Sequence, residues 1–290
     1  MMLRKLKHVL ILLLTLLIAA PAQLEASVKS SKTYAKKSSK KYSKKRYSKK
    51  KKRYSKKRRW SKRSKKKRVR RSRTSSLRSS VFHVPGGYAV YGMDVSKYQG
   101  IIDWTNLRAP ENYRFNINFA FMKATEGTLK KDPRFEYNWV SAAQNGVKRG
   151  AYHFYRPNED VYAQFRNFSS SVKLSSGDFA PVIDVESRGV VSEQKFQDDL
   201  RIFIALLEKE YGVKPIIYTG YRFYHKHLSH PFYQNYPFWV AHYGMKDMNF
   251  KDHWKFWQFT CKGRVKGIKG AVDLNVFKGG LAELNAMTVK

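Results

Sequence analysis

From Tyr88 onward the chain alternates between two rhythms. Short runs rich in β-branched and aromatic residues are separated by stretches with apolar residues at helical spacing. The strand-like runs are YAVYGMDVS (88–96), FAFMKATEG (119–127), GAYHFY (150–155), FAPVIDVES (179–187), KPIIYTG (214–220), FWVAHYG (238–244), KFWQFT (255–260) and AVDLNVF (271–277). Between the first five lie DWTNLR, FEYNWVSAAQNGV, DVYAQFRNFSSSV and SEQKFQDDLRIFIALLEKEYG. The last of these sets Phe196, Leu200, Phe203, Ile204 and Leu207 on one helix face, with Gly212 placed to end the helix as a left-handed cap. Strands alternating with helices predict parallel βαβ units, and eight of them predict a closed α/β barrel. The later connections are short and aromatic, so some helices of the last third are expected to be missing.

Acids interrupt this apolar pattern at particular places. The run APVIDVES carries Asp184 and Glu186 in an otherwise apolar strand, and residues two apart on a strand share a face. Carboxylates are rarely buried without a partner or a use. Asp94 ends the first strand, Glu126 ends the second, and Asp273 lies in the eighth. In a β/α barrel the C-terminal strand ends surround one pocket, which brings these acids together. A buried ion-pair network with Lys123, Arg149 or Arg156 is the structural alternative. Four or five acids at one aromatic-rimmed mouth favour catalysis, and clustered carboxylates beside aromatic walls are the equipment of glycoside hydrolysis. In that chemistry one carboxyl protonates the leaving oxygen and another, ionised, stabilises the oxocarbenium-like transition state. An ionised Asp184 would keep Glu186 protonated. Tyr98, Tyr152, Tyr155, Tyr218 and Trp239 are candidate stacking partners for sugar rings, whereas Trp257 is expected in the core.

Charge divides the chain into three pieces. The whole carries a formal charge of +38, a value that by itself suggests nucleic-acid binding. Residues 27–80, however, hold 28 Lys/Arg and no acid, while residues 81–290 hold 28 Lys/Arg against 20 acids. The excess therefore belongs to one tract, in which YSKK recurs from Tyr42, Tyr47 and Tyr54 and WSKR follows from Trp60. Such a tract cannot bury enough apolar surface to fold, and as a coil it would span roughly 40 Å. Residues 1–26 have a basic start, a run of 12 residues from Val9 to Ala20 with only Thr15 polar, and then small residues. That is the pattern of a secretory signal peptide, the run being short of the ~20 residues that span a bilayer. Export points away from nucleic acid as the target of the tract and toward anionic envelope polymers or surfaces. Residues 81–290 are expected to form the single catalytic domain and to act as a monomer.

Other candidate chemistry is weaker. Cys261 is the only cysteine, so no internal disulfide forms, and its place in WQFTCKGR reads as a buried or half-buried thiol. His225, His227 and His230 in HKHLSH match no standard zinc spacing, and no metal or cofactor is expected. His153 shares a strand with Tyr152, and one of the two faces the barrel interior.

Taken together in chain order, GMDVSKYQGIIDW, KATEG, GAYHFY, PVIDVE, IIYTG, FWVAHYG, WQF and VDLNVF resemble the strand motifs of glycoside hydrolase family 25 lysozymes over residues 88–279. The resemblance implies a modified, flattened β/α barrel that hydrolyses the β-1,4 bond between N-acetylmuramic acid and N-acetylglucosamine with net retention. It implies Glu186 as general acid and Asp184 as the group that orients or stabilises. Asp94 and Asp273 would complete the acidic floor, with Glu126 and Gln258 joining the aromatic residues as substrate contacts. A chitinase-like glycosidase is the nearest alternative, although FAPVIDVE lacks the additional upstream acid usual there. A non-catalytic wall-binding barrel is the other, and the intact acid set speaks against it.

Overall fold

The structure, a computed structural model, describes residues 83–107, 115–248 and 254–290; the signal-like segment and the basic tract lie outside the described residues. The described residues form nine strands: β1 Val90–Val95, β2 Ile117–Glu126, β3 Lys130–Lys131, β4 Lys148–Phe154, β5 Val182–Asp184, β6 Ile216–Gly220, β7 Phe238–Ala241, β8 Trp254–Gly263 and β9 Val272–Phe277. Eight close into a barrel in the order β1-β2-β4-β5-β6-β7-β8-β9, and the two-residue β3 pairs only with the end of β2. Helices α1 (Phe135–Gln144), α2 (Val161–Ser171) and α3 (Glu193–Tyr211) follow β3, β4 and β5. After β6 come two short helical segments, Tyr221–Leu228 and a 3-10 turn at Pro231–Asn235, and α4 (Leu281–Asn285) follows β9.

The eighth barrel strand departs from the expectation of an all-parallel barrel. β9 runs antiparallel to both β8 and β1. Its connection to β8 is residues 264–271, too short for a parallel crossover, which needs about a dozen residues or more. A hairpin therefore replaces the last βα unit. The reversal matters because Asp273 is the second residue of β9 and directly faces Asp94 near the end of β1. It reaches the active rim from the beginning of its strand.

Alternation of side chains sorts the residues of the barrel. Facing inward, Phe119, Phe121, Phe179, Trp239, Phe256 and Phe277 form an aromatic plug with Val90, Val182 and Ile216. Gly92 and Gly150 give these rings their room: a Cβ on either would lie 2.5 Å from the Phe119 or Phe121 ring, respectively. One step further along the same inward stripe, the residues become Asp94, Tyr152, Asp184, Tyr218 and Gln258. The barrel is thus apolar at depth and acidic at the mouth. Outward-facing residues pack beneath the helices.

In α3 the five apolar residues of the sequence pattern are all fully buried, each contributing roughly 1.5–3 kcal/mol through removal of apolar surface from water. Ser192 caps its start by accepting from the Lys195 N–H, and Gly212 ends it at φ 68°. Asp160 caps α2 in the same way through the Ala163 N–H. These caps fix where β4 and β5 hand over to their helices, and so fix the loops around the mouth.

Candidate active site

At the C-terminal ends of the parallel strands lies a cleft of about 350 Å³, whose lining includes Asp94, Asp184, Glu186 and Asp273. Asp94 comes from β1, Asp184 from the last residue of β5, and Asp273 from β9; Glu186 stands two residues beyond the end of β5. The strand breaks before Glu186, yet both acids of the DVE run reach the cleft.

Asp94 is the most firmly held. Its Oδ2 accepts from Gln258 Nε2 and from Asn275 Nδ2, both at 2.8 Å. Each amide is oriented in turn by aromatic donors. The Tyr218 and Tyr243 hydroxyls donate to Gln258 Oε1 at 2.9 and 2.6 Å, and Trp239 Nε1 donates to Asn275 Oδ1 at 2.7 Å. With its carbonyl oxygen engaged by donors, each amide presents only its NH₂ to Asp94.

The four carboxyls all sit above the usual carboxylate pKa range. Burial raises Asp94, followed by the charge of Asp273, while hydrogen bonds from Asn275 and Gln258 oppose the rise. Asp273 is pushed up to about 6, again chiefly by burial. Burial also dominates at Asp184, where the charge of Glu186 adds to it and Lys123 opposes. Asp184 Oδ1 is buried and has no hydrogen-bond partner among the described residues. Partial burial raises Glu186, with Lys123, Arg156 and a Tyr218 hydrogen bond pulling the other way. The sequence reading had the charge of Asp184 holding the proton on Glu186. In the structure burial raises both carboxyls, and the charge of Glu186 adds to the rise at Asp184. Two coupled acids of this kind retain a proton between them to a higher pH than either would alone.

Of the residues expected to contact substrate, Tyr98, Tyr152, Tyr218, Trp239 and Gln258 line the cleft. Tyr98 stands at the mouth with 81% of its surface exposed, which leaves a ring face open for stacking. Trp239 is buried and stacked on Phe121, so it forms floor rather than rim. Two expected contacts lie elsewhere. Tyr155 is buried against Phe203 of α3. It is three residues from Tyr152 and thus on the opposite face of the strand, while Phe154, two residues on, lines the cleft. Glu126 lies in a side hollow, its carboxylate taken by Lys123 at 2.6 Å, Arg156 at 2.6 Å and Lys130 at 2.9 Å. Burial raises its pKa, but those three cations outweigh the rise and hold it well below the usual range.

Sequence reasoning did not single out Asn275, Tyr243, Phe154, Ser96 or Gln99, all of which line the cleft or hold its acids. Asn275 was within reach, because it stands two residues from Asp273 and shares its face. His153 faces away from the cleft, between Thr125 Oγ1 and Gln164 Oε1, and burial pushes its pKa down to about 4. Trp257 is core, donating to the His242 carbonyl. Cys261 corrects an expectation: it is exposed. Beyond Gln258, β8 pairs only with β9, with register irregularities on either side of Thr260, and this extension carries the thiol out of the core. His227 pairs with Glu193, and His230 accepts the Phe232 N–H. Among the described residues no set of His, Cys, Asp and Glu is arranged to hold a metal.

Comparison with known proteins bears directly on this geometry. The sequence model of glycosyl hydrolases family 25 matches residues 93–268. The chain belongs to that family. Its relatives include the uncharacterized protein YegX of Escherichia coli K12, 41% identical over 211 residues that cover 72% of this chain and 77% of YegX. Lysozyme M1 of Streptomyces globisporus is 34% identical over 213 residues, covering 68% of this chain and 71% of that enzyme. Among solved structures, the lysozyme of Streptomyces coelicolor superposes with a TM-score of 0.62 at 33% identity, covering 69% of this chain and 97% of its own. A family 25 glycosyl hydrolase of Bacillus anthracis gives 0.62 at 31% identity, over 71% and 97%. The protein is therefore a family 25 glycoside hydrolase of the lysozyme type, with the family's barrel. The family match ends before β9, so the place of Asp273 in the cleft rests on its register with Asp94.

Proposed function

We propose that the protein is an exported muramidase that cleaves the β-1,4 bond between N-acetylmuramic acid and N-acetylglucosamine of peptidoglycan. The observation that carries this reading is the set of four carboxyls around one cleft, two of them adjacent on the β5 exit. Glu186, at the open side, gives its proton to the glycosidic oxygen as the bond to the anomeric carbon breaks. Asp184, buried deeper with an oxygen to spare, faces the positive charge that develops at the anomeric centre. The proton the pair retains settles on Glu186 once a sugar approaching oxocarbenium character favours an ionised Asp184. Glu186 then removes a proton from the incoming water, which adds on the face the leaving group vacated and gives net retention. Asp94 and Asp273 keep the floor acidic, Asp94 being fixed by Gln258 and Asn275. Tyr98 stacks on a sugar at the mouth.

The reading is tested by the ends that the enzyme creates. Purified peptidoglycan is digested with the full chain, reduced with borohydride, and the new termini are identified by mass spectrometry. Reduced muramic acid is the expected product. Reduced glucosamine ends would move the cleavage to the other bond and make the protein an N-acetylglucosaminidase.

A further inference from the structure

Beside the acidic cleft lies a small hollow lined mainly by cations. Lys123 lines the cleft and also a small adjoining hollow, whose other walls are Lys97, Glu126, Lys130, Lys131 and Asp132. Lys123 is held in place, its Nζ on Glu126 and 4.6 Å from the centre of the Phe154 ring. The carboxylate of Glu126 is shared among Lys123, Lys130 and Arg156. Asp132 is spent on the backbone, accepting the N–H groups of Lys97 and Arg134. Among the described residues neither Lys97 nor Lys131 has a carboxylate partner. Five cationic side chains thus surround two carboxylates, and both carboxylates are already engaged.

An acidic cleft that adjoins a hollow with excess cations matches a ligand that is neutral at one end and anionic at the other. Muramic acid is such a sugar. Its ring carries a lactyl ether extended by a peptide with free carboxylates, whereas polymers of N-acetylglucosamine carry no such group. We propose that the hollow lined by Lys97, Lys123, Lys130 and Lys131 is an anion subsite that takes the stem-peptide carboxylates of the muramoyl substrate. This rests on the muramidase reading and adds to it the residues that select strands with free stem-peptide carboxylates over strands without them. Lys123 forms the boundary between sugar and peptide, and the exposed Lys97 and Lys131 supply the unneutralised charge.

The test uses the full chain on soluble, N-acetylated peptidoglycan strands, before and after carbodiimide amidation of their carboxylates with excess ammonia. The unmodified enzyme is expected to favour the carboxylate strands in kcat/KM. In the double variant Lys97→Glu/Lys131→Glu that preference should fall about tenfold. Lys131→Gln, which removes one charge without reversing it, should give a smaller fall in the same direction. A control of equal charge change away from the hollow, Lys173→Glu/Lys209→Glu, should keep the preference. No preference in the unmodified enzyme, or an equal fall in the control, would overturn the subsite. Muramic acid ends released from the amidated strands report separately on the cleavage chemistry, so loss of the preference alone leaves the muramidase reading standing.

Discussion

Asp94 and Asp273 face each other across β1 and β9 in a buried site, and two such neighbours cannot ionise freely. Asp273 titrates at about 6 in the fold, against roughly 3.9 for an unperturbed aspartate. The folded state therefore binds this proton more tightly than the unfolded chain does. Its stabilising contribution is full below about pH 4 and is lost as pH rises through about 6. Asp273→Asn, neutral throughout, should be more stable than the parent at pH 7 by ~1–3 kcal/mol. The difference should shrink to nothing near pH 4, and the variant should hydrolyse peptidoglycan at least ~10-fold more slowly. Urea unfolding at several pH values measures it, and a gap independent of pH would contradict the assignment. At this scale the sequence showed the acids themselves, since charged residues stand out in apolar strands. It did not show what holds them. The amide pair Gln258 and Asn275 takes its meaning from the aromatic donors behind it, which come from β6, β7 and the residues beyond β7. Tyr155 departs from its expected place for a simpler reason: it stands three residues from Tyr152 in GAYHFY, and alternation turns it away from the cleft.

At the scale of elements, periodicity was a sound guide where one face of a segment is buried. The five apolar positions of α3 and its glycine stop are all realised, and each of the eight strand-like runs contributes a barrel strand. What periodicity does not carry is direction. Nothing in AVDLNVF distinguishes a parallel from an antiparallel strand; the short connection from β8 is the only cue, and it becomes decisive only once both strand ends are known. The reversal of β9 is what lets a residue near the start of a strand join three acids at or just beyond the ends of others. Strand length was also overread. FAPVIDVES forms regular strand only over Val182–Asp184, and the break after it lets Glu186 stand closer to solvent than Asp184, giving two neighbouring carboxyls different surroundings. Gly92 and Gly150 illustrate a further limit, since the crowding that requires them comes from Phe119 and Phe121 on the neighbouring β2.

For the molecule as a whole, the formal charge of +38 hides two unrelated electrostatic devices. One is the mixed acid and base arrangement around the cleft. The other is the tract at 27–80, which we propose as a tether to anionic envelope polymers. Deleting residues 27–80 should weaken binding to anionic envelopes steeply at low salt, where screening is least, and leave turnover of soluble wall fragments unchanged. Co-sedimentation across a salt series checks this, and equal binding with and without the tract would refute the tether. Within the cleft, we propose that a carboxyl at the β5 exit supplies the proton that releases the leaving sugar. The most direct measurement compares kcat/KM of the parent and Glu186→Gln on peptidoglycan and on a muramoyl glycoside with a nitrophenol leaving group, which departs without a proton. If Glu186 is that acid, the variant loses ~10³-fold or more on peptidoglycan and at most ~10-fold on the nitrophenyl glycoside, and the alkaline limb of its pH profile disappears. An equal loss on both substrates, with the alkaline limb intact, would contradict it.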